Sequence, residues 1–309
     1  MSKNAPMNYN FEVLKVRVLD TFKLTNINKE LNRIKGNTIC FGSGGSNVVA
    51  AYASIVLNAK NKCCTKIAEP RDVLYENLEN YKNLFICSYS GNNHGVNVLS
   101  SLKVKKYLLT YGSNDNNYKI LKCNSSIDKE MSFISLGATL MPMSILFKYY
   151  INDRVYEYLE KMFSDIKEYE IDALSYEYDI LSGSDTIAAE RYLESTFTES
   201  GLGSVIVHKK YDYCHGRSTI AYTKKRNLIY LVSNRKELDD LLLDNLKDRY
   251  LNVIVLESNY NDIVIDNFNL TIQAMYLTKQ IASKKELDLS IVNYDKELCK
   301  ILYKYRGEM

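Results

Sequence analysis

Apolar and polar residues along the first half of the chain form blocks that predict strands and helices in alternation. Short apolar runs predict buried strands at Asn37–Phe41, Thr65–Ala68, Asn83–Cys87 and Lys106–Tyr111. Apolar residues at helical spacing over 8–35, and an Ala- and Val-rich segment at Asn47–Ala59, predict helices. Strands that alternate with helices are typical of a parallel sheet with right-handed crossovers, so we expect an α/β fold.

The same order of elements starts again after a helical connection predicted over 144–177. Gly44–Tyr52 compares with Ser182–Glu190, and Asn83–Ser90 compares with Asn227–Asn234. The two pairs are separated by similar lengths of chain and keep the same order, which indicates a duplicated α/β unit. The remaining predicted elements are a helix at Ile187–Gly201, strands at Ser204–His208 and Asn252–Leu256, and helices at Asp262–Ser283 and Asp295–Tyr305.

Two loops rich in Gly and Ser follow the first and third predicted strands. Both lie at carboxyl ends of strands, where parallel sheets bind their ligands. Glycine lets the backbone approach an anion closely, Ser hydroxyls donate hydrogen bonds, and the helix that follows adds its N-terminal partial charge. We therefore expect a phosphate site formed by Gly42, Ser43, Gly44, Gly45, Ser46, Ser88, Ser90, Gly91 and Asn93.

Each loop also has a simpler interpretation. The first could be a tight strand–helix turn without a ligand, or part of a dinucleotide site with Glu69 at the ribose-binding position. The second could be no more than a capped helix start. The repeated unit has Ser233-Asn234-Arg235 in place of the second loop, so we expect one phosphate site, in the first half.

Composition narrows the classes of partner. The 40 Lys and Arg residues balance 37 Asp and Glu residues, for a net charge of +3, which does not favour nucleic acid. The longest largely apolar stretch, Ile134–Phe147, is too short to span a bilayer, and the first residues have no apolar signal core. Seven Cys without a C-x-x-C pair, and three His without metal-ligand spacing, predict a cytoplasmic protein with free thiols and no metal.

The two loops together resemble the sugar isomerase (SIS) family, whose hallmarks are a G-x-G-x-S turn and an S-x-S-G-x-T loop after the third strand. Glu130–Ser135, before an apolar helix, is similar to the acidic-then-Ser/Thr segment that ends a SIS domain, and this adds Ser135 to the candidate binding residues. The second half resembles the second unit of double-SIS enzymes. These include the isomerase part of glucosamine-6-phosphate synthase and the fructosamine-6-phosphate deglycases.

This resemblance, which covers roughly residues 35–309, implies two SIS-like lobes. Each lobe would be a parallel sheet flanked by helices, the three-layer flavodoxin-like αβα arrangement. The implied units are an N-terminal helical segment at 1–35, a first SIS domain with the phosphate-binding loops at 36–150, a helical connection at 151–176 and a second SIS domain with the catalytic pair at 177–309.

The resemblance also implies a catalytic pair in the second half. Glu199, near the end of a predicted helix, and His215, in the later loop Tyr213–Arg217, match in kind and spacing the family's catalytic Glu and its His-Gly-Pro-like tripeptide. A shielded carboxylate can carry a proton between C1 and C2 of an open-chain sugar, and a His that titrates near neutrality can assist ring opening. Without the family spacing, Glu199 would be a solvated helix end and His215 a turn residue.

Three departures from the family pattern bear on activity. Asn93 stands where Thr is usual, Arg217 stands where Pro is usual, and Leu298–Met309 has no clear match to the lysine-bearing end of the synthase.

We expect a sugar-phosphate isomerase, deaminase or deglycase without a cofactor. It would act on a phosphorylated ketose, aldose or amino sugar, as a homodimer in which His215 completes the neighbour's site. A SIS-type sugar-phosphate-binding regulator without catalysis is the alternative, and a nicotinamide oxidoreductase would require cofactor binding.

Overall fold

The computed structural model describes residues 7–69, 72–114, 117–172, 175–223 and 225–291, together with 295 and 297. The helix predicted at Asp295–Tyr305 falls almost wholly outside these residues. The helical spacing over 8–35 forms three helices, α1 (Met7–Glu12), α2 (Leu14–Leu24) and α3 (Asn28–Leu31). Leu14, Val18 and Phe22, spaced one helical turn apart on α2, are fully buried, which is why this spacing predicted a helix.

The first lobe contains a sheet of five parallel strands in the order β2-β1-β3-β4-β5. Its elements are β1 (Thr38–Phe41), α4 (Gly45–Asn61), β2 (Thr65–Ala68), β3 (Asn83–Cys87), α5 (His94–Ser100), β4 (Lys105–Thr110) and β5 (Lys119–Lys122). Short 3-10 segments at Asp72–Tyr75 and Leu78–Asn80 lie between β2 and β3. The four predicted strands are confirmed, and β5 is an edge strand that the apolar pattern did not predict.

The connection between the lobes is less helical than predicted. It consists of α6 (Leu136–Ile151), a 3-10 turn at Asn152–Arg154 and α7 (Val155–Ser164), so the helix ends at Ser164 and not near Tyr176. Beyond it, the side chain of Gln280 accepts a hydrogen bond from Tyr169 N at 3.0 Å and donates one to Tyr169 O at 2.6 Å. These bonds satisfy the backbone groups that a longer helix would have paired internally.

The second lobe repeats the first with four parallel strands in the order β7-β6-β8-β9, which matches β2-β1-β3-β4. Its elements are β6 (Glu177–Ser182), α8 (Ile187–Ser200), β7 (Ser204–Lys209), α9 (Lys210–Tyr213), β8 (Asn227–Ser233), α10 (Glu237–Leu246), β9 (Asn252–Ser258) and α11 (Ile263–Lys284). Short 3-10 segments lie at Ser184–Thr186 and Arg217–Thr223. The internal repeat indicated by the sequence is thus present as one strand order used twice.

A shared apolar core joins the two lobes. Phe268 on α11 stacks on Phe147 of α6 with ring centroids 4.4 Å apart, and its ring lies 5.8 Å from that of Tyr52 on α4. The Tyr52 hydroxyl donates to Val264 O at 3.1 Å. Helices of both lobes are therefore packed against each other across this core.

Among the described residues, no helix is both long and apolar enough to cross a membrane.

Candidate active site

The first Gly/Ser loop is a tight turn that leads directly from β1 into α4. A Cβ on Gly42 would lie 2.0 Å from Ser46 O, and Gly44 has φ +55°, a conformation that side chains disfavour. Ser46 N donates to Ser43 O at 3.1 Å. Glycine is thus required at two positions for the chain to turn so closely onto the helix. The N-terminus of α4, which attracts anions, begins at Gly45 within this turn.

The second loop leads from β3 towards α5. Ser88 is buried and its Oγ accepts a hydrogen bond from Gly91 N at 3.2 Å, whereas Ser90 is exposed. Asn93 Oδ1 accepts from Val96 N at 2.9 Å, so Asn93 caps α5. Asn93 therefore forms the helix cap that the simpler interpretation of this loop predicts. The Ser88 hydroxyl and the Ser90 side chain remain the groups of this loop that could donate hydrogen bonds to an anion.

A third loop, which the sequence interpretation missed, braces the second one. Gly112 follows β4, its N–H donates to Tyr89 O at 3.0 Å, and a Cβ there would lie 1.7 Å from Ser90 O. Asn114 Nδ2 donates to Gly91 O at 2.6 Å. The signal was a further Gly-Ser-Asn run directly after a predicted strand, at 112–114. The position of the second loop thus depends on a segment that follows the next strand along the chain.

Glu130 and Ser135 together close the N-terminus of α6. The Glu130 carboxylate accepts from Leu136 N at 3.1 Å and from Gly137 N at 2.7 Å. The Ser135 hydroxyl donates to Glu130 Oε2 at 3.2 Å and accepts from Ala138 N at 3.2 Å. Burial raises the pKa of Glu130, although these hydrogen bonds act in the opposite direction. An internal carboxylate therefore occupies this helix N-terminus, and the Ser135 hydroxyl already has two partners.

A pocket of about 180 Å³ lies between the first loop and α8 of the second lobe. Its walls include Ser43, Ser46, Ser135, Tyr192, Ser195 and Glu199. A Cβ on Gly44 would lie 3.6 Å from Glu199 Oε1, so this carboxylate lies against the first loop. Ser46 also lines a void of about 10 Å³ together with Ser88 and Tyr89. Ser46 thus connects the Glu199 pocket with the second loop.

Glu199 reaches this pocket because of its place on α8. The helix ends at Ser200 with Gly201 at φ +72°, and Glu199 in its last turn faces the first lobe, where it is exposed in the single chain. The helix C-terminus disfavours a carboxylate, while the N-terminus of α4 close by favours one. The packing of α8 against α4 thus brings a predicted catalytic residue to the predicted phosphate loop.

His215 is not brought to the same pocket within one chain. It is exposed, follows α9, and its backbone N–H donates to Asp212 O at 3.0 Å. Between Glu199 and His215 the chain runs along β7, whose 6 residues span about 17 Å. The two residues therefore lie near opposite ends of this strand.

Arg217 fastens the loop that carries His215. Its Nε donates to His208 Nδ1 at 3.1 Å and its Nη2 donates to Val207 O at 3.3 Å. His208 is buried, and its Nε2 lies 3.5 Å from Asp179 Oδ1. Arg217 is therefore a structural link between this loop and β7.

The equivalent strand ends of the second lobe are occupied by its own side chains. Ser182 Oγ and Lys209 Nζ both donate to the Glu190 carboxylate. Ser233 Oγ donates to Asp266 Oδ2 at 3.2 Å, and Ser258 Oγ donates to Asp266 Oδ1 at 2.6 Å. Internal carboxylates thus take the hydroxyl donors that a ligand would use in this lobe.

Glu69 also has internal partners. Asn47 Nδ2 donates to its Oε1, and burial raises its pKa while hydrogen bonds from Asn47 and Ser43 lower it. The Glu69 carboxylate is therefore hydrogen-bonded to the first loop, whereas a carboxylate that binds a ribose would need its oxygens free.

No group of three or more His, Cys, Asp or Glu side chains in the described part of the chain is arranged to hold a metal ion.

The fold closely matches solved structures, although no family model and no curated protein matches the sequence. Glucosamine-6-phosphate deaminase from Thermotoga maritima aligns with a TM-score of 0.73 and 17% identity, over 95% of this chain and 99% of that one. The C-terminal domain of glucosamine-fructose-6-phosphate aminotransferase from Francisella tularensis aligns with a TM-score of 0.68 and 14% identity, over 92% and 97%. Tagatose-6-phosphate ketose/aldose isomerase from Escherichia coli aligns with a TM-score of 0.68 and 11% identity, over 93% and 96%. Over nearly its whole length, the chain therefore has the two-lobe α/β fold of double-SIS structures.

Proposed function

We propose that the protein is a sugar-phosphate isomerase, or a deaminase or deglycase of related chemistry, with Glu199 as its proton-transfer base. The observation that carries this proposal is the single pocket shared by Glu199 and the first Gly/Ser loop, which come from different lobes. The names of the structural neighbours, a phosphosugar deaminase and a phosphosugar isomerase, support the same class.

The phosphate would be held by the first lobe. Gly45 at the N-terminus of α4 lines one of two adjoining cavities, Ser88 lines the other, and Ser46 lines both. Ser90, which is exposed in the same loop as Ser88, would add a further hydroxyl. Hydrogen bonds to a charged group contribute about 1.5–3 kcal/mol each, so this set can fix one end of a small substrate. The other end then extends towards α8 and Glu199.

The proton transfer would take place at that second end. Glu199 would remove a proton from the carbon next to the carbonyl or imine of the open-chain sugar and return it to the neighbouring carbon. Such a base needs a fixed place relative to the phosphate, because a short displacement lowers the fraction of reactive geometries. Glu199 and the first Gly/Ser loop line the same pocket, which would set the distance between the base and the phosphate.

His215 would serve the site of a second copy. In one chain it lies at the far end of β7 from Glu199, and it is exposed. A homodimer with exchanged His215 loops would complete both sites, as symmetric dimers commonly do. There it would assist the opening of ring-closed substrates.

The substrate class is tested first by binding. Phosphorylated ketoses, aldoses, amino sugars and fructosamine adducts are screened by thermal shift, each beside the same sugar without phosphate. A ligand at 100 times its dissociation constant stabilises the fold by about 2.7 kcal/mol. Ser88→Ala/Ser90→Ala should abolish most of this ligand-induced stabilisation. The free double variant should itself be less stable by about 1–3 kcal/mol, because Gly91 N loses its acceptor Ser88 Oγ. Equal shifts with the wild type and the double variant would contradict the phosphate site.

Turnover is then tested on each ligand found. Glu199→Gln keeps the size of the side chain but removes its basic oxygen, and loss of a general base lowers the rate by about 10²–10⁴-fold. Ligand affinity should stay near the wild-type value, because the other lobe holds the phosphate. Full activity of Glu199→Gln would refute the mechanism. Phosphate-dependent binding without turnover by the wild type would favour the regulator alternative.

The dimer is tested by complementation. Inactive Glu199→Gln and inactive His215→Ala chains are mixed and allowed to exchange subunits. Half of the dimers are then mixed and each holds one complete site, so activity should return to about a quarter of the wild-type value. No recovery, with exchange shown by differently tagged chains, would mean that His215 does not act across subunits.

A further inference from the structure

Ser195 lies one helical turn before Glu199 and contacts it. Residues four apart on a helix share a face, and the side chains of both residues line the 180 Å³ pocket. Ser195 Oγ donates to Glu199 Oε1 at 2.7 Å. A helical serine often turns its hydroxyl back to the carbonyl of the preceding turn, but here the hydroxyl is directed to the carboxylate.

The two oxygens of the Glu199 carboxylate have different surroundings. Oε1 accepts from Ser195 and lies against Gly44, whereas within the described ranges no protein donor reaches Oε2. The pocket walls drawn from these ranges include no Lys, Arg or His. The C-terminal carbonyls of α8 meanwhile disfavour an anion at this place. The Ser195 hydroxyl is thus the side-chain donor that holds Oε1 of this carboxylate.

We propose that Ser195 is a positioning residue for the proton-transfer base, and this inference rests on the function proposed above. By holding Oε1, the hydroxyl fixes the rotation of the carboxylate so that Oε2 faces the substrate carbon. Ser195 itself takes no part in the proton transfer.

Removal of this hydroxyl should affect catalysis more than binding. In Ser195→Ala the carboxylate rotates freely and its ionised form loses a donor. We expect kcat to fall about 10- to 30-fold, the loss of roughly one charge-assisted hydrogen bond. KM should change less than about twofold, because the phosphate is held by the first lobe.

Two variants serve as matched controls. Ser195→Thr keeps a hydroxyl at the same place and should retain at least about a third of the wild-type kcat. Thr198→Ala removes a hydroxyl next to Glu199 on an exposed side of the same helix, and should leave kcat unchanged. Both are assayed with the substrate found in the binding screen, and the thermal midpoint of each variant is measured.

A second readout does not depend on turnover. With ¹³C-carboxyl glutamate in the protein, the Glu199 resonance is assigned as the signal missing from Glu199→Gln. At one fixed pH its chemical shift should change in Ser195→Ala and stay at the wild-type value in Thr198→Ala. This measurement reports the hydrogen bond in the free protein.

The outcomes separate this inference from the proposed function. An unchanged Glu199 chemical shift in Ser195→Ala, or an unchanged kcat while Glu199→Gln is inactive, would overturn the role of Ser195 alone. Full activity of Glu199→Gln would overturn the proposed function and the role of Ser195 with it. A fall in kcat with constant KM, restored by Ser195→Thr, would support both.

Discussion

Gly112 sets the position of the second Gly/Ser loop, and we predict that Gly112→Ala weakens phosphate binding. The methyl group of alanine would lie 1.7 Å from Ser90 O, whereas real Cβ atoms essentially never lie within 3.0 Å of another heavy atom. The two segments must therefore move apart until 1.7 Å becomes at least 3.0 Å. The obstructing atom is a backbone oxygen, so no side-chain rotation can relieve the contact.

The magnitude follows from the hydrogen bonds that such a shift breaks. Loss of one hydrogen bond from the Ser88–Ser90 loop to a phosphate costs about 1.5–3 kcal/mol, or roughly 10- to 150-fold in the dissociation constant. Overpacking also destabilises a fold by about 1–3 kcal/mol, so the free energy of unfolding should fall as well. Ligand affinity should decrease more than stability does, because the strained atoms belong to the loop itself.

Calorimetry with the sugar phosphate from the binding screen measures the affinity, and urea denaturation of the free protein measures the stability. Ser113→Ala is the matched control, because Ser113 is exposed and alanine there adds no contact. Gly112→Ala with wild-type affinity and a native fold would show that phosphate binding does not depend on this loop.

Three further predictions concern the buried parts of the second lobe and the shared core. Asp179→Ala should lower the free energy of unfolding by about 3–5 kcal/mol, measured by urea denaturation, because Arg226 Nε loses its 2.6 Å partner in the interior. Burial alone would raise the pKa of Asp179, but the nearby His208 ring and the hydrogen bonds from Arg226 and Tyr250 outweigh it and hold that pKa below its usual value of 3.8. The stability that the ionised Asp179 contributes is therefore present above pH 3.8 and is lost as the pH falls through its lowered pKa. On acidification, the urea midpoint of Asp179→Asn should accordingly fall less than that of the wild type. Phe268→Ala should cost about 3–5 kcal/mol by the same assay, and an effect below about 1 kcal/mol would contradict its place in the shared core.

Fully buried elements were the predictable part of the fold. β3 and β8 have every residue buried, so they appear in the sequence as continuous apolar runs bounded by turn residues. The edge strand β5 has four residues of mixed exposure and too short a pattern to stand out. The end of α7 was mispredicted because Gln280, far along the chain, replaces the helical partners of Tyr169.

The candidate site likewise has parts that could be predicted from the sequence and parts that could not. The first loop could be predicted because its glycines and serines act within a few residues of one another, as does the cap that Asn93 forms on α5. The brace from Gly112 and Asn114 depends on the pairing of β3 with β4, which the local pattern does not specify. The contact of Ser195 with Glu199 is compatible with helical spacing, but many such pairs on helices make no contact.

The sequence by itself determined the order of strands and helices, the internal repeat and the two Gly/Ser loops, because each depends on neighbouring residues and on the local period of burial. Tertiary structure alone decided that Glu199 lies against Gly44 and that His215 lies at the far end of β7. Those placements result from the packing of α8 on α4 and from the direction of a parallel strand. Contacts between residues in different halves of the chain, such as Gly44 and Glu199, have no local signal, because they depend on how whole faces of helices fit together.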